Sequence, residues 1–255
     1  KLKGLENLKK YSRRKHTIIA CAAWGINDQY MGDFLQYCHD NRDLISDVGI
    51  IPLTENWEKD EFIVARHTTM EDVEKMVQQA VPGGGVEFIP AGLSYIFRLP
   101  RSFFRKNPIS ETLLLAGVHP NCESMTLLVS DGKTFRGVNH YMKKPFSQAV
   151  VELAGLLKKI EGKLNHLNPD QFFSRLRGQM LVIRTFGPWI FRTVNFSRLT
   201  QGNPIFGMLK ILGRQVFRRK LGKNGQPKRR PRLVVRVAVL PFEEQHSVDA
   251  ARMEN

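Results

Sequence analysis

The sequence predicts an α/β protein whose first part is wound strand–helix–strand and whose later part is an α+β region with a β-hairpin. Three observations carry this. An apolar run at Thr17–Ala23, a helix-period stripe and a second apolar run at Asp47–Leu53 have the spacing of a βαβ unit. A further helix and the β-prone stretch Val86–Ile89 continue the alternation, as in half of a parallel barrel or in an open α/β sheet. After about Leu93 the pattern changes, and Asp131-Gly132 between two β-prone runs marks a tight hairpin. Residues 1–92 are therefore expected to form the wound portion and residues 93–255 an accessory region.

Taken in order, Lys1–Arg14 reads as the end of a helix with Leu2, Leu5 and Leu8 on one side. Thr17–Ala23 is rich in β-branched and small residues, as expected of a strand buried on both faces. Gly25 breaks the run, and Asn27-Asp28 offers side-chain oxygens to cap the next helix. Tyr30, Met31, Phe34, Leu35 and Cys38 form that helix's apolar stripe. It ends near Asn41, and the crossover to the strand at Asp47–Leu53 is expected to be right-handed. Thr54–Asp60 is a polar loop carrying Trp57. Thr68-Thr-Met-Glu71 has the spacing of a capping box, ahead of a helix burying Met70, Val73, Met76, Val77 and Ala80. Pro82-Gly-Gly-Gly85 stops it.

In the later part, Ser124–Ser130 and Lys133–His140 form the hairpin arms. Pro145–Lys163 is a helix with Phe146, Val150, Leu153, Leu156, Leu157 and Ile160 inward. Pro169 opens another helix, through Arg177 and on toward Asn195. Asn203-Pro204 restarts one that carries Ile205, Met208, Leu209, Leu212 and Phe217. Lys220–Pro231 is a basic linker, Leu233–Leu240 a strand, and Glu243–Asn255 the start of a helix.

Composition bounds the function. An apolar fraction of 42% and a charged fraction of 25% are those of an ordinary globular chain with material for a core. No uncharged apolar run reaches the roughly 18 residues of a membrane span. The chain opens on Lys1, so we expect a piece of a longer protein. Cys21, Cys38 and Cys122 make no disulfide framework, which points to a reducing, cytoplasmic setting. The net charge of +15 is concentrated late, because no Asp or Glu occurs from Gln171 to Phe242. Such asymmetry fits either an anionic partner or a solvated basic face.

No Walker loop, G-x-S-x-G or H-E-x-x-H is present. His119-Pro-Asn-Cys122 is the most chemical-looking cluster; its thiol can bind iron or zinc, but one Cys and one His are half a site, and a structural turn is the alternative. Cys21 and Cys38 read as packing residues. Ligands of α/β sheets and barrels bind at the carboxyl ends of strands. There the sequence places Trp24, Asn27 and Asp28 after the first strand, and Thr54, Glu55 and Asn56 after the second. Asn27 and Asp28 can therefore serve as helix caps or touch a cofactor.

Glu6-Asn-Leu8 before a strand, Trp24-Gly-Ile-Asn-Asp28, a helix and Val48-Gly-Ile-Ile-Pro-Leu53 resemble the later strands of a radical S-adenosylmethionine enzyme. Thr68–Val81, Val86–Pro90 and His119-Pro-Asn-Cys122 before a hairpin resemble the subgroup that includes tetraether lipid synthase. Val237-Ala-Val-Leu-Pro-Phe242 with His246-Ser247 and Arg252-Met-Glu254 also fits. The resemblance implies the C-terminal part of a partial (β/α) TIM-like barrel. It also implies a [4Fe-4S] cluster on three cysteines that cleaves S-adenosyl-L-methionine to a 5′-deoxyadenosyl radical for hydrogen abstraction. Cys-x-x-x-Cys-x-x-Cys is absent, so the cluster-bearing strand is expected upstream and residues 1–255 alone are expected to be inactive. By position, Asn27 and Asp28 become candidates for lining the S-adenosylmethionine end, and Cys122 with His119 candidates for an auxiliary iron site. The basic residues of 204–232 then read as a contact for a phospholipid or a membrane surface, with nucleic acid as the competing partner.

Overall fold

The structure, a computed structural model, describes residues 2–12, 14–53, 67–92, 100, 102–104, 123–199 and 233–240. In order these form α1 (Leu2–Tyr11), β1 (His16–Ala22), a 3-10 turn (Asp28–Tyr30), α2 (Met31–Asp40), β2 (Ile45–Pro52), α3 (Met70–Ala80) and β3 (Ile89–Pro90). There follow β4 (Ser124–Ser130), β5 (Phe135–Gly137), a 3-10 turn (Val138–Tyr141), α4 (Phe146–Asn165), α5 (Phe172–Thr193), α6 (Phe196–Leu199) and β6 (Val234–Val239). Two compact units divide them: one takes the described parts of 1–86, 124–137 and 219–255, the other those of 87–123 and 138–218.

The α/β class predicted from the sequence is the one observed. In the first unit the strand order is β1-β2-β6-β4, with β5 on β4. β1, β2 and β6 run parallel, whereas β4 is antiparallel to both β6 and β5. The sheet is therefore mixed. Beside β2 lies the late strand β6, and of the predicted strand Val86–Ile89 only Ile89 is strand, in the two-residue β3.

β1 departs from expectation. Outermost among the described strands, it alternates half-buried and exposed positions, and Ile19 is 53% exposed. Cys21, on the same exposed set, is not a packing residue. β2 is the inner strand and is buried almost throughout. A β-carbon on Gly49 would lie 3.3 Å from Ile19 Cγ1 and 3.5 Å from Leu240 Cδ1, a tight fit that Ile19 would have to ease. Asp47 and Arg236 are cross-strand partners and approach to 3.2 Å as an ion pair.

α2 buries Met31, Leu35 and Cys38, as its stripe predicts, but Tyr30 stays outside. α3 buries Val73, Met76 and Val77 and packs on β2 and β6. Its capping box lies one residue later than the sequence suggested. Thr69 accepts from Asp72 N, and the Asp72 carboxylate accepts from Thr69 N. Gly83, Gly84 and Gly85 all take positive φ, which unwinds the chain beyond α3.

The hairpin is as predicted, though its return arm is short. Asp131 Oδ1 accepts the N–H groups of Lys133 and Thr134, and Oδ2 accepts Arg136 Nε at 2.9 Å. Partial burial pushes this carboxyl up, but those donors and the Arg136 charge outweigh it and hold the pKa at about 2.

In the second unit, α4 and α5 pack around Phe103, Leu157, Ile160, Leu164 and Val182. α5 runs unbroken through Pro188. Gly187 precedes that proline, and its missing β-carbon relieves the clash that normally drives a pre-proline residue out of helical geometry. The end of α5 is tied down by Lys143 N to Thr193 O and Asn195 N to Tyr141 O, each 2.8 Å.

Candidate functional site

The carboxyl end of β1 is built as a stapled turn. Asn27 Oδ1 accepts Ala23 N at 2.8 Å, and its Nδ2 donates to Cys21 O at 3.0 Å. Asp28 Oδ1 accepts Gly25 N, while Gly25 turns the chain at φ 75°. Neither residue caps α2, and the helix-cap reading is corrected: the nearer backbone groups, left open where the strand ends, take these side chains first. Trp24 N donates to Thr68 Oγ1 at 2.8 Å, which leaves Thr69 to cap α3. Beyond them Leu53 N donates to Ala22 O and Leu240 N to Ile50 O, so the three parallel strands finish together.

This end presents Gly25, Ile26 and Tyr30 to solvent, with His67 exposed before α3. Asn27 spends both ends of its amide on the backbone, so its value to a ligand is the turn it shapes. Asp28 is half-buried and gives Oδ1 to Gly25 N. Thr54, Glu55, Asn56, His119, Cys122 and the 204–232 segment lie outside the described residues.

The described residues do not fit an iron–sulfur cluster. Among them no three His, Cys, Asp or Glu gather as metal ligands. Burial pushes the Cys38 thiol up to about 12, so it is a poor source of thiolate, and Cys21 is raised for the same reason.

One cluster is invisible to spacing. His39 Nε2 lies 2.8 Å from Ser130 Oγ, and His39 Nδ1 lies 3.1 Å from Asp40 Oδ1. The trio has the atom order of a nucleophilic triad but not its function. His39 is 1% exposed, Ser130 is 8% exposed, and Ser130 Oγ is already the acceptor for Gly132 N. With the His39 ring edge-on to Phe135, it fastens the end of α2 to the hairpin. Ninety-one residues separate the partners, so no local motif announces them.

A second hidden cluster sits at the start of α4. Glu87 Oε2 accepts Phe146 N at 2.7 Å and Asn139 Nδ2 at 2.8 Å, and its Oε1 accepts the Ser147 hydroxyl. A remote carboxylate thus caps a helix whose own N-cap is Pro145. Burial raises the Glu87 pKa, but the hydrogen bonds from Ser147, Asn139 and Phe146 lower it further, to a value below the ordinary 4.5.

Compared with known proteins, the chain matches no family model and no curated relative.

Proposed function

We propose that the chain is the later part of a radical S-adenosylmethionine enzyme, in which β1, α2 and β2 belong to a partial barrel. The observation that carries this reading is the parallel β1–α2–β2 unit, whose carboxyl end is closed by the Trp24–Asp28 turn. Such an end is where α/β folds receive their ligands. The sequence resemblance at Trp24–Asp28 and His119–Cys122 supports it as well.

In this reading the cluster and the chemistry of hydrogen abstraction belong to residues upstream of Lys1. The described residues shape the far wall, with Asn27 and Asp28 fixing the turn. His119 and Cys122 are the proposed contributors to an auxiliary iron site. The basic late segment is the proposed contact for a phospholipid-like substrate, in a cytoplasmic protein peripheral to the membrane.

The test starts from the complete reading frame, which must encode Cys-x-x-x-Cys-x-x-Cys. Anaerobic reconstitution of that product should yield bound iron and 5′-deoxyadenosine from S-adenosylmethionine. Cys122→Ala should lower the iron-to-protein ratio without abolishing it. A reading frame without the triplet ends the proposal, and an unchanged ratio retires the auxiliary site.

A further inference from the structure

Helix α5 is apolar on two sides, and only one of them is packed. Gly178, Val182 and Thr193 are buried. Away from them Phe173, Leu176, Met180, Ile183, Ile190 and Phe191 are exposed, Phe173 by 78% and Met180 by 61%. At about 100° per residue these six fall within an arc of about 100°, a stripe along some 27 Å of helix. Scattered surface apolar residues are ordinary, but a stripe of this length is not.

Charge narrows what can cover it. Arg177 and Arg184 project along one margin of the stripe, and the helix contains no acidic residue. Two copies joined stripe to stripe with antiparallel helices would bring those guanidinium groups together, with no carboxylate on either helix to pair them. An anionic partner avoids that conflict. No helix among the described residues is long and apolar enough to cross a membrane, so α5 can only lie along one.

We infer that this face of α5 docks on the anionic leaflet of a lipid bilayer. Phe173, Met180, Ile183 and Phe191 enter the acyl boundary, while Arg177 and Arg184 extend to the head groups. Helix α5 lies before the basic stretch at 204–232, and its docking does not depend on the reaction proposed above.

The test uses the full chain and sedimented vesicles, either phosphatidylcholine alone or three parts phosphatidylcholine to one part phosphatidylglycerol. Binding should favour the mixed vesicles and weaken as salt rises. Met180→Glu with Ile183→Glu should weaken it roughly tenfold with far-ultraviolet circular dichroism unchanged. Arg177→Gln with Arg184→Gln, which spares the apolar stripe, should reduce the preference for anionic vesicles. Unchanged binding by both variants would move the attachment to another segment and overturn the proposal. Equal binding to both vesicle types would also overturn it. So would a chain that ignores vesicles but sediments as a dimer, with the Met180/Ile183 variant monomeric, because the face would then belong to a second copy.

Discussion

The ring of Phe103 occupies the space where a β-carbon on Gly178 would have to sit, with Cδ1 only 2.2 Å from that position. Phe103 is fully buried, which leaves its ring little room to retreat, and Gln179 Nε2 donates to its backbone carbonyl at 2.8 Å. A glycine in mid-helix costs about 1 kcal/mol in helix propensity, and here the cost is offset by seating the largest side chain of the cluster.

Gly178→Ala therefore sets two effects against each other. The gain in helix propensity is about 1 kcal/mol, and the overpacking cost is about 1–3 kcal/mol or more. Because the ring already fills the site, the cost should fall at or above the upper end, and we expect net destabilisation of about 2 kcal/mol or more in urea unfolding. Gly155→Ala is the control, because nothing lies within 4 Å of its added carbon. That variant should gain up to about 1 kcal/mol.

Glu87 gives a signed pH effect. Its pKa is depressed in the folded state, so its stabilisation is present above the ordinary value of 4.5 and disappears as pH falls through the lower folded value. Glu87→Gln should cost about 1 kcal/mol at neutral pH, with the deficit closing in acid. Chemical denaturation across pH checks this. A deficit that grows in acid would contradict the assignment.

The Ser130–His39 bond is assigned to architecture. Ser130→Ala should cost about 1–2 kcal/mol, by leaving a buried imidazole nitrogen without its partner. Asp40→Asn should be close to neutral, since Asp40 is exposed. A fluorophosphonate probe should not label Ser130; labelling would restore a nucleophilic role.

Arg236→Met should leave the Asp47 carboxylate inside the sheet without a cation, at a cost of about 3 kcal/mol. Adding Asp47→Leu should recover most of it, because two apolar residues can share that cross-strand position. A double-mutant cycle measures the recovery.

What the sequence disclosed divides by range. The stripe of α2, the helix at Met70–Ala80, the hairpin and the last strand were legible because each is written in local periodicity or turn chemistry. The one-residue shift of the capping box was not, because Thr68 and Thr69 are both good caps and only the Trp24 contact separates them. The outer position of β1 was also hidden, since its apolar residues suit an inner strand equally well. At the candidate site, Gly25 and Asn27-Asp28 mark the turn in the sequence, but side-chain oxygens that suit a helix cap serve the backbone of the turn equally well, and spacing does not separate the two. His39–Ser130 and Glu87–Phe146 join distant stretches and leave no spacing to read.

The position of β6 bears on how the protein is made. Residues 45–52 and 124–130 have been synthesised long before residues 234–239, yet the last segment lies between the first two. Until it emerges, β2 and β4 each hold an open edge, one along a strand that the finished sheet buries almost throughout. Folding of this sheet is thus a late event dominated by contacts distant in sequence, and a nascent chain stalled before Val234 carries two exposed templates for aggregation.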